Sequence, residues 1–254
     1  MAKAKTVKKK KPVILVTNDD GVAAPGIRAL VESVIGLGKV IVVAPDKPQS
    51  GMGHAITIGQ PLRMQRVNVF DDIGIEAYSC SGTPVDCVKL AVDKIIHDKP
   101  AICISGINHG ANHSINVIYS GTMSAALEAS IESIPSIGFS LLDLSIEADF
   151  TAAKKYARIL VEHVMQGGIK DKHLCLNVNF PKGEEKLIKG IKICRQAYAK
   201  YEEEFDERKD PHGRRYYWLT GEFLNFDKGR DTDVWALKNN YVSVVPVQFD
   251  LTHY

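Results

Sequence analysis

The sequence predicts an α/β fold: a layered, mixed sheet with helices on both faces, plus a projecting hairpin. Three observations carry that expectation. Short β-branched runs without polar interruption recur along the chain, as strands covered on both faces require. Segments whose apolar residues repeat at helical spacing lie between them. Strand and helix alternate from residue 13 to about 180, the signature of a sheet sandwiched between helical layers.

The first strand is the apolar run at 13–17, and it stops at Asn18-Asp19-Asp20-Gly21, a turn sequence with paired carboxylates. Pro25 suits a first helical position. Ile27, Leu30, Val31, Val34 and Ile35 then follow at i, i+3, i+4, i+7 and i+8, giving an amphipathic helix that Gly36 and Gly38 end. Residues 39–44 read as a second buried strand. A strand, a helix and a strand within about thirty residues form a βαβ unit, so the two strands are expected to be parallel. A Pro- and Gly-rich loop around Ser50 and Gly51 follows. Residues 54–58, 62–69 and 75–79 show partial alternation and read as shorter strands forming an antiparallel extension.

Thr83-Pro84 is a helix start, with Val85, Val88, Val92 and Ile95 as its apolar stripe. Residues 101–105 are a further buried strand, and it runs into Gly106-Ile107-Asn108-His109-Gly110-Ala111-Asn112. Tyr119-Ser120-Gly121-Thr122 opens a helix rich in small residues. Residues 136–141 and 173–180 read as strands, and 150–165 as a long helix between them. The texture then turns polar and aromatic over 198–223, centred on Asp210-Pro211-His212-Gly213. Legs at 201–209 and 214–220 predict a hairpin arm, which is marginal in water by itself and so is expected to pack on a neighbouring subunit. Residues 241–247 read as a last strand. No linker divides the chain, so 12–254 is expected to be one domain, preceded by a disordered Lys-rich tail at 1–11.

Charge and cysteine content narrow the class. Lys and Arg total 32 against 30 Asp and Glu. Six of the lysines stand in the first eleven residues, so the remainder is mildly acidic, which argues against a nucleic-acid scaffold. No apolar run approaches the ~20 residues of a membrane span, and the start lacks the apolar core of a secretory signal. Five scattered cysteines without a C-x-x-C pair suit a reducing cytoplasm rather than a disulfide framework.

In open α/β sheets, ligands bind just past the carboxyl ends of the strands. Three parallel strand ends would deliver Asp19 and Asp20, Ser50, and Asn108 to one edge. All of these are oxygen donors, a set suited to Mg²⁺ or Mn²⁺ and poorly suited to Zn²⁺. A cation held by few protein ligands keeps positions open for water and for a substrate oxygen. Free N–H groups at the helix start, with Ser120, Gly121 and Thr122, form a phosphate cradle on the same edge, and Gly51 lets the backbone approach the same ligand. Asn112, His109 and His113 are candidates for supporting the site or meeting the leaving group. Each motif also has a plain reading: a solvated Asx turn, a turn serine, an N-cap, a polar loop histidine.

The motifs Asn18-Asp19-Asp20-Gly21, Pro48-Gln49-Ser50-Gly51, Gly82-Thr83-Pro84, Ser105-Gly106-Ile107-Asn108 and Tyr119-Ser120-Gly121-Thr122 occur together and in order. In these the chain resembles the SurE family of survival-protein nucleotidases. The resemblance implies a Rossmann-like α/β fold and a metal-dependent phosphatase acting on nucleoside 5′- and 3′-monophosphates, in some members also on short polyphosphate. It implies one divalent cation per subunit held by Asp19, Asp20, Ser50 and Asn108, with Asp19, Asp20 and Asn108 as the catalytic set. It also implies a homodimer or homotetramer in which the hairpin and the C-terminal segment are exchanged. Asp19 as a covalent nucleophile stays open beside Asp19 as a ligand. A haloacid-dehalogenase-type phosphatase needs a nucleophilic aspartate where Asn18 stands, and an amide cannot form the acyl-phosphate. The rival from another class is a noncatalytic nucleotide- or phosphate-binding protein. Two carboxylates beside an anion would repel it unless a cation intervenes.

Overall fold

The computed structural model describes residues 11–145, 147–169 and 171–253; of the expected tail at 1–11, residues 1–10 lie outside them. In chain order the elements are β1 (Val13–Thr17), α1 (Pro25–Val34), β2 (Lys39–Pro45), β3 (Met64–Val67), β4 (Glu76–Cys80), α2 (Pro84–Leu90), β5 (Ile102–His109), α3 (Gly121–Ile131), β6 (Ser136–Leu141), α4 (Thr151–Met165), β7 (Cys175–Phe180), β8 (Ile191–Ile193), β9 (Ala199–Lys209), β10 (Arg215–Asn225), α5 (Asp233–Lys238) and β11 (Val242–Val247). The described residues form a nine-stranded sheet in the order β3-β4-β2-β1-β5-β6-β7-β11-β8, with β9 and β10 as a separate ribbon.

β4, β2, β1, β5, β6 and β7 run parallel, so their carboxyl ends share one edge. The period of two in each strand explains the uninterrupted apolar runs. Ile14 and Val16 join one core with α1 and α4, while Leu15 joins the other with Cys87 and Val88 of α2 and Ala125 and Ala129 of α3. β1 leads to β2 on one side and lies against β5 on the other, so its end is the topological switch point. The β5–α3–β6 and β6–α4–β7 connections step in the same direction across the sheet but cover opposite faces. They therefore have opposite hands, a departure from the usual right-handed rule.

Two expectations need correction. Residues 54–58 form no strand. Their backbone is held instead by side chains, with Thr57 N donating to Asp86 (3.1 Å) and Thr83 Oγ1 donating to the Ala55 carbonyl (2.7 Å). Nor is the whole 62–79 region an antiparallel extension, because β4 pairs parallel with β2 and only β3 runs antiparallel to it. The α2 start is as expected, a capping box in which Thr83 and Asp86 satisfy each other's backbone N–H groups. The helix continues as a π-helical turn, Ala91–Ile96. β8 and α5 carried no clear sequence pattern, the one being three residues long and the other six. β11 lies between β7 and β8 of the chain's own sheet.

Candidate active site

The turn after β1 is built by Asn18, whose side chain donates to the Gly21 carbonyl (2.9 Å) and accepts from Gly21 N (3.2 Å). Val22 N donates to the Pro45 carbonyl at the end of β2, and Gln49 N donates to the Asp19 carbonyl, both short enough to fix the two loops together. The loop bearing Ser50 is tied on its far side as well. Gly53 N donates to the Tyr119 carbonyl, and His54 Nε2 meets the buried Glu128 of α3 at 2.9 Å.

Asp19, Asp20, Ser50, Gly51, Asn108, His109, Asn112 and Ser120 line one cleft of about 280 Å³ at the carboxyl edge of the sheet. The four expected cation ligands are therefore brought to one place. Asp19 is 5 % exposed, and Thr122 Oγ1, itself wholly buried, donates to its Oδ1. Burial pushes the Asp19 carboxyl up to about 6; the Thr122 bond pulls the other way and the neighbouring Asp20 adds to the rise. Gly121 makes the approach possible, since a Cβ there would stand 2.7 Å from Asp19 Cβ and 3.0 Å from Asp19 Oδ2. Asp20 accepts weakly from His109 N (3.5 Å) and faces His109 Nδ1 at 3.4 Å.

Asn108 donates its amide hydrogens to the carbonyls of His109 (3.1 Å) and Gly110 (2.6 Å), which orients the oxygen end of the side chain away from them. A bulge sets this up. Ser105 pairs with Gly138 but Asn108 with Ser140, so β5 carries one residue more than β6 over the step, and the extra residue turns the strand end. Ser120 is the N-cap of α3 and accepts from Met123 N (3.1 Å). The Thr122 hydroxyl is committed to Asp19, and of the expected cradle at 120–122 it is Ser120 that lines the cleft.

The neighbouring polar residues are placed differently. Asn112 is part of a buried network: its N donates to Asn179 Oδ1 (2.7 Å), its amide to Ser140 Oγ (2.8 Å), and its carbonyl accepts from Asn177. It holds the strand ends of β6 and β7 beneath the cleft. His109 packs edge-on against Phe150, and its buried Nε2 has no hydrogen-bond partner. Its Nδ1 edge is the one that meets Asp20. His113 sits off the cleft against Phe223, with burial lowering its pKa. Sequence reasoning missed Asn116, Leu144 and Tyr201, which also line the cleft. Tyr201 belongs to the arm, whose aromatic content was the available signal; a lone Asn and a lone Leu carry none.

The donor set tests well against a divalent cation. Two carboxylates, a hydroxyl and an amide oxygen converge, and one carboxylate is buried with its charge uncompensated by any base. Among the described residues no group of three His, Cys, Asp or Glu gathers as a nitrogen- or sulfur-rich site would. An oxygen-donor cleft at a sheet switch point, next to the start of a helix, is the arrangement of α/β proteins that handle phosphorylated ligands.

Within that class the comparisons are specific. The family model described as survival protein SurE matches residues 14–203. The 5′-nucleotidase SurE of Flavobacterium psychrophilum is 62 % identical over 242 residues, covering 95 % of this chain and 93 % of that protein. The 5′-nucleotidase SurE of Christiangramia forsetii is 62 % identical over 244 residues, covering 96 % and 94 %. The crystal structure of the SurE protein from Aquifex aeolicus matches with a TM-score of 0.82 at 40 % identity over 96 % of each chain. The chain belongs to the SurE family.

Proposed function

We propose that this protein is a 5′-nucleotidase, a phosphatase that hydrolyses nucleoside monophosphates in the cleft at the β1 switch point with the help of one divalent cation, Mg²⁺ or Mn²⁺. The observation that carries the reading is Asp19: a carboxylate buried at a strand end, made room for by a glycine, and left without a basic partner. Such a group is costly unless a cation joins it. The paired acids argue against a plain phosphate binder for the same reason.

Asp19, Asp20, Ser50 and Asn108 would hold the cation. When bound, it supplies charge neutralisation at the phosphoryl group and acidifies an attacking water. The protein's own residues do the rest. Thr122 and the Gln49 N–H fix Asp19 from two sides, which suits a ligand better than a nucleophile that must move to attack. The N–H groups at the start of α3, with Ser120 and the Gly51 backbone, receive the remaining phosphate oxygens. His109 steadies Asp20 through Nδ1. Water displaces the ribose oxygen from phosphorus in line, and that oxygen leaves protonated by solvent from the open cleft.

The same reading places the protein in the cytoplasm as a homodimer or homotetramer. Five reduced cysteines are consistent with that compartment. Among the described residues no helix is long and apolar enough to cross a membrane. Phosphate release from AMP and GMP, measured with Mg²⁺, with Mn²⁺ and with EDTA, tests the activity. Release that needs the cation and disappears in Asp19→Asn is expected. No release with any added divalent ion would overturn the reading in favour of a binder.

A further inference from the structure

A second hollow of about 400 Å³ adjoins the phosphate cleft, lined by Asn116, Tyr119, Tyr201, Glu203, Leu219, Thr220 and Gly221. Asn116, Tyr119 and Tyr201 line both spaces, so the two are one continuous depression. Its size lies within the range of small-molecule sites. The nucleotidase reading places a phosphate at one end and leaves the other end unexplained.

The hollow follows from the register of the arm. Tyr201, Glu203 and Phe205 alternate onto one face of β9, opposite Phe223, Gly221 and Leu219 of β10. Gly221 stands directly across from Glu203 and puts no side chain there. Its backbone, at φ +144, demands a glycine, because a Cβ would lie 2.3 Å from the Glu202 carbonyl. The result is a gap between Tyr201 and Leu219 with a carboxylate at its back, the kind of strand glycine that marks close approach by a ligand.

Tyr201 is held in place for such a role. Its ring meets Phe223 edge-on at 5.3 Å, and Phe223 meets the half-buried His113 at 5.0 Å. The base of the arm is pinned to the loop before α3, where Ser114 Oγ donates to the carbonyls of Ala197 (2.9 Å) and Ala199 (3.0 Å). Tyr119 immediately precedes the phosphate-facing Ser120, so the aromatic wall and the phosphate cradle are parts of one rigid element.

Building on the nucleotidase reading, we propose that this hollow is the base subsite, that Tyr201 and Tyr119 stack a purine in it, and that Glu203 selects guanine. Stacking on tyrosine favours the larger purine rings over pyrimidines. An ionised carboxylate only accepts hydrogen bonds. Guanine presents N1–H and the N2 amino group side by side on its Watson–Crick edge, a match for both carboxylate oxygens. Adenine offers one amino group beside an acceptor nitrogen, which a carboxylate repels. Asn116, with a donor and an acceptor, serves either base.

The test compares kcat/KM for GMP, IMP, AMP, UMP and ribose 5-phosphate under saturating Mn²⁺. The wild type is expected to rank GMP above IMP and AMP, and these above UMP. Tyr201→Ala should raise KM for the purine nucleotides about tenfold, the usual scale for one stacked base, and cost ribose 5-phosphate, which has no base to stack, much less than it costs GMP. Tyr201→Phe should restore the purine values, which separates stacking from folding. Glu203→Gln should collapse the GMP-to-AMP ratio towards one through a loss on GMP that exceeds any change on AMP. Equal losses on ribose 5-phosphate and GMP, or a base ranking that neither variant alters, would overturn the subsite while leaving the nucleotidase reading intact. Failure of the wild type to cleave any of these esters would remove both.

Discussion

A single side chain concentrates the chemistry of this cleft. Asp19 is buried, carries Asp20 beside it, and has the Thr122 hydroxyl and the backbone N–H groups of Asp19 and Thr122, but no basic group, in compensation. Its carboxyl stands at about 6 in the fold against an ordinary 3.8. The folded chain therefore holds that proton more tightly than the unfolded chain does. The cost of the charge is absent below about pH 4, grows as pH rises towards about 6, and persists in full above it, on the order of 3 kcal/mol. Asp19→Asn keeps an oxygen for Thr122 and removes the charge. In EDTA the variant is expected to gain stability relative to wild type between pH 4 and pH 8, by up to that amount in urea unfolding. Saturating Mn²⁺ is expected to reverse the order at pH 8, because the wild type alone gains the full binding free energy of the cation. A stability difference that stays flat across this pH range in EDTA would show that Asp19 is not an uncompensated buried charge.

The start of α3 shows the same economy at the level of an element. Replacing a helical glycine by alanine ordinarily stabilises a helix by about 1 kcal/mol. At Gly121 the added methyl meets Asp19 instead, at 2.7 Å from its Cβ. Gly121→Ala is therefore expected to leave the circular dichroism spectrum intact, to lower thermal stability rather than raise it, and to cut kcat about a hundredfold by displacing the carboxylate. An alanine variant of normal activity would mean that α3 can slide and that the close packing is incidental. Elements of this kind were partly legible in the sequence. The apolar runs of β1, β2, β5, β6 and β7 and the stripes of α1 and α4 announce themselves, because burial on both sheet faces demands them. Thr83 and Ser120 were readable as caps from local chemistry. What could not be read was set by distant partners. Residues 54–58 mimic strand alternation because alternate residues reach Asp86 and Thr83 of α2. The bulge that turns Asn108 into the cleft depends on its pairing with β6. The assignment of the Thr122 hydroxyl to Asp19 crosses 103 positions of sequence.

For the molecule as a whole, the arm is where copies of the chain would meet in the proposed oligomer. β9 and β10 pair over eleven residues in a ribbon that is solvent-exposed along most of its length. A lone ribbon is marginal in water, and this one presents Tyr216 at 40 % and Trp218 at 57 % exposure on the face opposite Tyr201 and Glu203. An exposed aromatic face on a thin projection calls for a cover, and the family resemblance names a second copy as that cover. The cleft, by contrast, draws Asp19, Asp20, Ser50, Asn108, Ser120 and Tyr201 from one chain. Assembly and catalysis should therefore separate. The double substitution Tyr216→Ser and Trp218→Ser is expected to lower the mass in light scattering from an oligomer to a single chain. Turnover per chain on GMP should stay within about twofold of wild type, because surface changes away from the substrate leave transition-state contacts untouched. If the monomeric variant instead loses turnover while Tyr201 stays in place, the neighbouring copy must supply part of the site, and a cleft complete within one chain would be the wrong description.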